Sequence, residues 1–231
     1  KYPSLKFIFI SSLAACGPAK RALPHRENAE ALPVSDYGRS KLKAEDILLH
    51  DSPGRWQKVI IRPPMVIGPR DPAIVDVFQM VKSKFILAPG KEGLKNRYSF
   101  ICVHDLVNII HAALEKEQNT EKQVYFAAHP QEVTFGEIVQ EVEHIMGVDK
   151  SFKLQVPLPV IKTLAKTMAG LKKVWPKAQF RLTPDKVYEL QEPAWLCNGE
   201  KAQNDFQYEY QWDFKKTLQE TYEDYKKRGW V

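Results

Sequence analysis

Tyr37 and Lys41 stand four residues apart, so on a helix both side chains reach the same pocket. A lysine ammonium beside a phenol favours the phenolate and lowers an ionisation that lies at about 10 in water. A tyrosine so placed can give and take a proton nearer neutral pH. The spacing alone is common: nine tyrosines and 25 lysines in 231 residues give about one match by chance, and the chain has three. Tyr2/Lys6 and Tyr222/Lys226 are the others. Position separates them, because Ser12 closes the first apolar run 25 residues before Tyr37, and Tyr37 opens the segment between two apolar runs.

The elements that must hold these residues are legible around them. Phe7 to Ile10 is a continuous apolar, β-rich run of the kind that forms a strand buried on both faces, and Ser11 to Gly17 turns out of it. From Ser35 to about Asp51, Leu42, Ile47, Leu48 and Leu49 mix with charged residues at helical spacing until Pro53-Gly54 stops the helix. Val59 to Ile61 is a second buried strand, closed by Pro63-Pro64. Strand, helix, strand is a βαβ unit, and such strands present ligands at their carboxyl ends, where Ser12 and Tyr37 converge on one crevice. Further on, the pattern predicts helices over 71–84 and 105–117 and strands over 98–103 and 123–127. Thr134 and Glu137 form a capping box before another helix. Beyond Pro157 the chain reads as helical, with a start at Thr183-Pro184 and a last helix near 214–227.

Four ordered stretches carry a resemblance over nearly the whole chain: Ser11-Ser12-Leu-Ala-Ala-Cys-Gly17, Tyr37-Gly-Arg-Ser-Lys41 with Glu45, Arg62-Pro-Pro-Met-Val-Ile-Gly-Pro-Arg-Asp71, and Tyr98-Ser-Phe-Ile-Cys-Val-His-Asp105. Trp195 to Cys197, Lys201-Ala202 and the ending Gly229-Trp230-Val231 match the tail of epimerase and hydroxysteroid-dehydrogenase-like members. The chain thus resembles the extended short-chain dehydrogenases/reductases, the NAD-dependent epimerase/dehydratase family. The resemblance implies an α/β fold: the C-terminal portion of a Rossmann-like doubly wound parallel sheet over 1–70, then a smaller, mostly helical substrate domain over 71–231, of which 105–130 returns to the sheet. It implies hydride transfer to or from NAD or NADP. Ser12 would hydrogen-bond the substrate oxygen, Tyr37 would exchange its proton, and Lys41 would bind the nicotinamide ribose and tune Tyr37. Pro63, Pro64, Met65 and Val66 would line the nicotinamide, although the prolines read equally well as strand terminators. Ser12, Leu13, Ala14 and Tyr98 would face the substrate.

The sequence departs from the family at two points. None of the eleven glycines forms the GxGxxG or GxxGxxG turn that cradles a pyrophosphate, and the chain opens at what matches the family's fifth strand. The dinucleotide-binding start is then expected on another chain, outside these residues or never present, and the 231 residues alone are expected to be inactive and to bind either cofactor poorly. Sugar dehydratases of the family carry Thr-Asp-Glu where this chain has Ser12-Leu13-Ala14, which removes the acid that eliminates water. The phosphate-binding Arg of nucleotide-sugar enzymes, seven residues before the position of Asp105, is Tyr98 here, and the neighbouring Arg97 would point to the opposite face. The expected substrate is a secondary alcohol or ketone, sugar- or sterol-like, and less charged than a UDP-sugar.

Composition bounds the alternatives. A chain 44% apolar buries a sizeable core, and the net charge of +6 is carried by scattered lysine pairs such as Lys172-Lys173 and Lys215-Lys216 that read as solvated surface. No nucleic-acid or membrane partner is expected; a small-molecule substrate is, with a homodimer or association with the missing N-terminal part. Cys16, Cys102 and Cys197 are far apart without CxxC spacing, and His104 and His111 lie seven apart on one helix, so a cytoplasmic protein without a metal site is expected. The rival reading is a non-catalytic binding domain or lipoprotein. Lys1 to Lys6 is basic, Phe7 to Ile10 is apolar, and Leu13-Ala14-Ala15-Cys16 resembles a lipidation box.

Overall fold

In the computed structural model, residues 5–20, 23–51, 56–116, 122–174 and 183–231 are described. The βαβ unit forms where the pattern places it. β1 (Lys6–Ile10) runs parallel to β2 (Gln57–Arg62) with Phe9 opposite Ile60, and α1 (Asp36–Asp46) connects them, continuing as a π-turn over Ile47–Asp51. β2 is buried along both faces from Lys58 to Arg62, as a parallel strand between neighbours must be. β1 differs from the expectation: its Phe7 is exposed, because among the described residues β1 pairs on one side only, in a sheet of order β1-β2-β6. β6 (Lys122–Phe126) pairs in parallel with β2, Ile60 opposite Val124. The helix before it, α3 (Val103–Glu115), packs on β1, and the Lys6 ammonium closes its last turn by donating to the carbonyls of Ala113, Leu114 and Lys116. Lys6 is thereby engaged as a helix C-cap.

The rest of the chain is mostly helical, as expected, with more short strands than the two expected over 98–103 and 123–127. β3 (Met65–Ile67) pairs in parallel with β5 (Arg97–Cys102), which is flanked by the antiparallel β7 (Glu132–Thr134) and the parallel β9 (Ala194–Trp195). β4 (Phe85–Pro89) and β8 (Phe152–Val156) form a separate parallel pair. Most of these strands have two to five residues, too few for a period-2 pattern to stand out. α2 (Val75–Lys82) begins later than the expected 71, since the Asp71 carboxylate accepts from the backbone N–H of Ala73 at 2.9 Å and of Ile74 at 3.4 Å, holding 71–74 in a turn. α4 (Phe135–Met146) starts at the reciprocal Thr134–Glu137 capping box and ends on Gly147 at φ 66°. α5 (Leu158–Val174), α6 (Pro184–Leu190), α7 (Glu200–Phe206) and α8 (Phe214–Arg228) complete the chain.

Two cores follow from this layout. One lies under the three-stranded sheet, around Val59, Ile61, Ile109 and Tyr125; the other joins α2, α4 and α8 through Phe78, Val139, Leu218 and Tyr225. The buried Asp105 binds the two halves of the C-terminal region: it accepts from the Tyr208 hydroxyl at 2.6 Å and from the backbone N–H groups of Gln211 and Trp212. Burial first, and then this donation to a carboxylate, push the Tyr208 phenol up to about 12.

Candidate functional site

β1 ends at Ile10, and the chain leaves the sheet through Ser11 and Ser12 into a single 3-10 turn, Leu13–Ala15. The next strand fixes this exit: Ser11 N donates to the Ile61 carbonyl at 2.8 Å and Leu13 N to the Pro63 carbonyl at 2.8 Å. The buried carbonyl of Pro63 thus anchors the serine loop. Ser12 caps the turn by accepting from Ala14 N at 3.1 Å. A hydroxyl that accepts in this way keeps its proton for another oxygen, and Ser12 is half-buried. Leu13 and Ala14 are buried at 3% and 8% exposure; Leu13 packs among Cys16, Phe126 and Cys197.

α1 approaches this turn closely. A Cβ on Gly38 would fall 2.3 Å from the Ala14 carbonyl oxygen, so only glycine lets the first turn of α1 lie against the serine loop. Tyr37, the residue before it, is 48% exposed, and its hydroxyl has no protein partner among the described residues. One turn on, Lys41 Nζ donates to the Ile10 carbonyl at 3.0 Å and lies 5.9 Å from the centre of the Tyr37 ring. An ammonium has three donors, so the Ile10 bond leaves two for a ligand. The structure therefore brings Tyr37, Lys41 and the Ser12 loop to the carboxyl end of β1.

The alternative pairs are placed differently. Tyr2 lies outside the described residues. Lys226 sits 5.5 Å from the Tyr222 ring, but Tyr222 stacks on Phe78 and belongs to the C-terminal core.

The arrangement is held by groups whose part could not be read from spacing. One more turn along α1, Glu45 is buried at 1% exposure; it accepts from the Ser11 hydroxyl and takes a two-pronged hydrogen bond from Arg62, Nε at 3.0 Å and Nη2 at 2.5 Å. Burial works against the Arg62 charge, but the hydrogen bonds and charge of Glu45 outweigh it and hold the guanidinium above its ordinary value. The carboxylate thereby ties α1 to the ends of β1 and β2. At the other end of α1, Asp185 of α6 accepts from Asp36 N at 2.6 Å and Tyr37 N at 3.4 Å, and Glu189 accepts from the Ser35 hydroxyl at 2.9 Å. Such caps satisfy helix N–H groups that have no partner within the helix.

Other expected site residues are placed as follows. Pro64 is half-buried, and Met65 and Val66 belong to β3, where Met65 packs on the C-terminal core and Val66 on the sheet core. Tyr98 is half-buried against the C-terminal core, and burial raises its phenol. Arg97 is paired with Glu132. His104 and His111 each lie beside a glutamate on the surface, Glu220 at 2.9 Å and Glu115 at 3.6 Å. Two concavities, of about 540 Å³ beside Thr134 and about 260 Å³ beside His129, include none of Ser12, Tyr37 and Lys41.

All three cysteines are buried, and burial is the first cause that raises each thiol above its ordinary value. Cys16 at 0% exposure packs inside the fold. The native protein is expected to react slowly with an aromatic disulfide reagent at all three positions, and completely in denaturant. Fast labelling of Cys16 in the native state would place the Leu13–Cys16 turn outside the core.

The model of the NAD dependent epimerase/dehydratase family matches residues 1–128, which contain Ser12, Tyr37, Lys41 and Tyr98. The chain belongs to this family. A UDP-glucose 4-epimerase of Vibrio cholerae is 30% identical over 166 residues, covering 70% of this chain and 49% of its own length. The chain thus spans about half the length of that relative. Among solved structures, the UDP-glucuronic acid 4-epimerase of Bacillus cereus in complex with UDP-glucuronic acid and NAD superposes with a TM-score of 0.72 at 19% identity, over 96% of this chain and 62% of that one. The UDP-glucose 4-epimerase of Thermotoga maritima with UDP-glucose gives 0.72 at 21% identity, over 96% and 64%. These family likenesses establish the Rossmann-like α/β fold.

Proposed function

We propose that this chain carries the proton-handling side of a nicotinamide-dependent oxidoreductase or epimerase acting on a secondary alcohol or the matching ketone. The observation that carries this reading is Lys41, whose ammonium is fixed to the end of β1 with donors to spare beside the exposed Tyr37. When bound, NAD or NADP supplies the hydride acceptor and donor. The residues present fit its nicotinamide side: Lys41 has donors for a ribose diol, and the Tyr37 hydroxyl stands unengaged beside it. Ser12 donates its free proton to the substrate oxygen and orients it. Tyr37 removes the hydroxyl proton as a C–H bond is oxidised, and returns it on reduction. Lys41 holds the ribose and keeps its positive charge beside the Tyr37 ring during transfer.

Two observations bear on the substrate. The relatives named above act on UDP-sugars, which supports a sugar-like alcohol. Against a diphosphate, Tyr98 packs into the core and Arg97 is paired with Glu132, so neither presents a free cation for it. The reading favoured here is a sugar- or sterol-like alcohol without a nucleotide diphosphate; a nucleotide sugar is the second reading, supported by the relatives.

The complete gene product, assayed by nicotinamide absorbance with UDP-glucose and with uncharged secondary alcohols, separates the two. Ser12→Ala should lower kcat by about 10²-fold with whichever substrate is turned over, since it removes a donor aimed at developing charge. An unchanged kcat would remove Ser12 from the site.

A further inference from the structure

Among the described residues, the β4–β8 pair is covered on one side only. Ile86 and Ala88 are buried, whereas Phe85, Leu87, Phe152 and Leu154 are 47% to 62% exposed. The register sets Phe85 beside Phe152 and Leu87 beside Leu154, so the four form one block on the outer face, and the two phenyl rings meet edge-on at 6.1 Å. Parallel strands are normally covered on both faces, and a two-stranded sheet is marginal without cover. Such a block is too large to be a scattered surface hydrophobe.

The surrounding charge identifies the cover. From Lys150 to Pro184 the sequence contains seven lysines and one arginine and no Asp or Glu, although the whole chain is only +6. β8 and α5 lie within this span, α5 beginning two residues after β8 ends. Within it, Lys153 is paired with Glu143 at 3.3 Å. α5 also exposes Val160 and Leu164, one turn apart, together with Lys162 and Lys166; Lys82 and Lys84 precede Phe85 on the surface. Among the described residues, none of these four lysines has a carboxylate within 4.0 Å. Two copies of such a face would repel, and a nucleic acid has no use for paired phenyl and leucyl side chains. An anionic lipid bilayer satisfies both features, with headgroups for the lysines and an acyl boundary for the apolar block. No helix among the described residues is long and apolar enough to cross a membrane, so α5 would lie along the surface.

We propose that the β4–β8 face and α5 dock this protein on an anionic lipid surface. Flotation of the complete gene product with vesicles of phosphatidylcholine, and of phosphatidylcholine with about one-third phosphatidylserine, tests it. Binding is expected to the anionic vesicles only, and to weaken as salt is raised. Lys162→Gln with Lys166→Gln should weaken it about 30-fold, at roughly fivefold per charge. Phe85→Ser with Phe152→Ser should weaken it at least about 10-fold while the far-ultraviolet circular dichroism of the folded protein is retained. No binding to anionic vesicles, equal binding to neutral ones, or a phenylalanine pair without effect would each overturn the proposal. So would sizing that shows the serine variant splitting a dimer that does not float with vesicles.

Discussion

Glu45→Ala should destabilise the protein by about 3 to 5 kcal/mol, the usual cost of removing one partner of a buried ion pair. The carboxylate satisfies three hydrogen bonds at once, one from the Ser11 hydroxyl and two from Arg62, in surroundings where Glu45 and Arg62 are 1% and 7% exposed. Without it the Arg62 guanidinium stays buried with no acceptor among the described residues and only the charge of Glu27, beyond ion-pair distance, to offset its own, and that desolvation, more than a lost attraction, sets the size of the effect. A thermal melt should fall by roughly 10 °C for a chain of this length. The double variant Glu45→Leu, Arg62→Met should recover much of the loss, because it buries no charge. A double variant as unstable as the sum of the singles would show that the pair acts through packing and not through charge. Because Glu45 links the ends of β1, β2 and α1, the single variant should also lose turnover before it loses its fold.

Tyr37→Phe should lower kcat by at least about 10²-fold while leaving the melting temperature unchanged. The hydroxyl makes no hydrogen bond to the protein among the described residues, and Tyr37 is 48% exposed, so its removal leaves nothing buried unpaired. Affinity for the cofactor should change little, since Lys41 still holds its position through the Ile10 carbonyl. A rise confined to KM, with kcat unchanged, would make Tyr37 a binding residue.

Much of the sheet and the placement of Tyr37 and Lys41 were legible because they depend on local pattern. Val59 to Ile61 announces a strand buried on both faces, Thr134 with Glu137 announces a helix start, and a spacing of four puts Tyr37 and Lys41 on one face. β4 and β8 were hidden: each has five residues, and they pair only through a contact across 67 positions, Phe85 with Phe152. The support of the site was hidden for the same reason. Asp185 reaches the start of α1 from 149 residues away, and Glu45 meets Arg62 only because α1 crosses back over β2. Gly38 was visible as a motif letter, but its reason, the Ala14 carbonyl against the helix, is purely tertiary.

The most direct measurement follows the absorbance of reduced nicotinamide when substrate is mixed with the complete gene product carrying oxidised cofactor. The wild-type protein should show the reduced band within a turnover, and Tyr37→Phe should form it at least about 10²-fold more slowly with the same amount of cofactor bound. Equal rates of band formation in the two proteins would contradict the assignment of proton transfer to Tyr37.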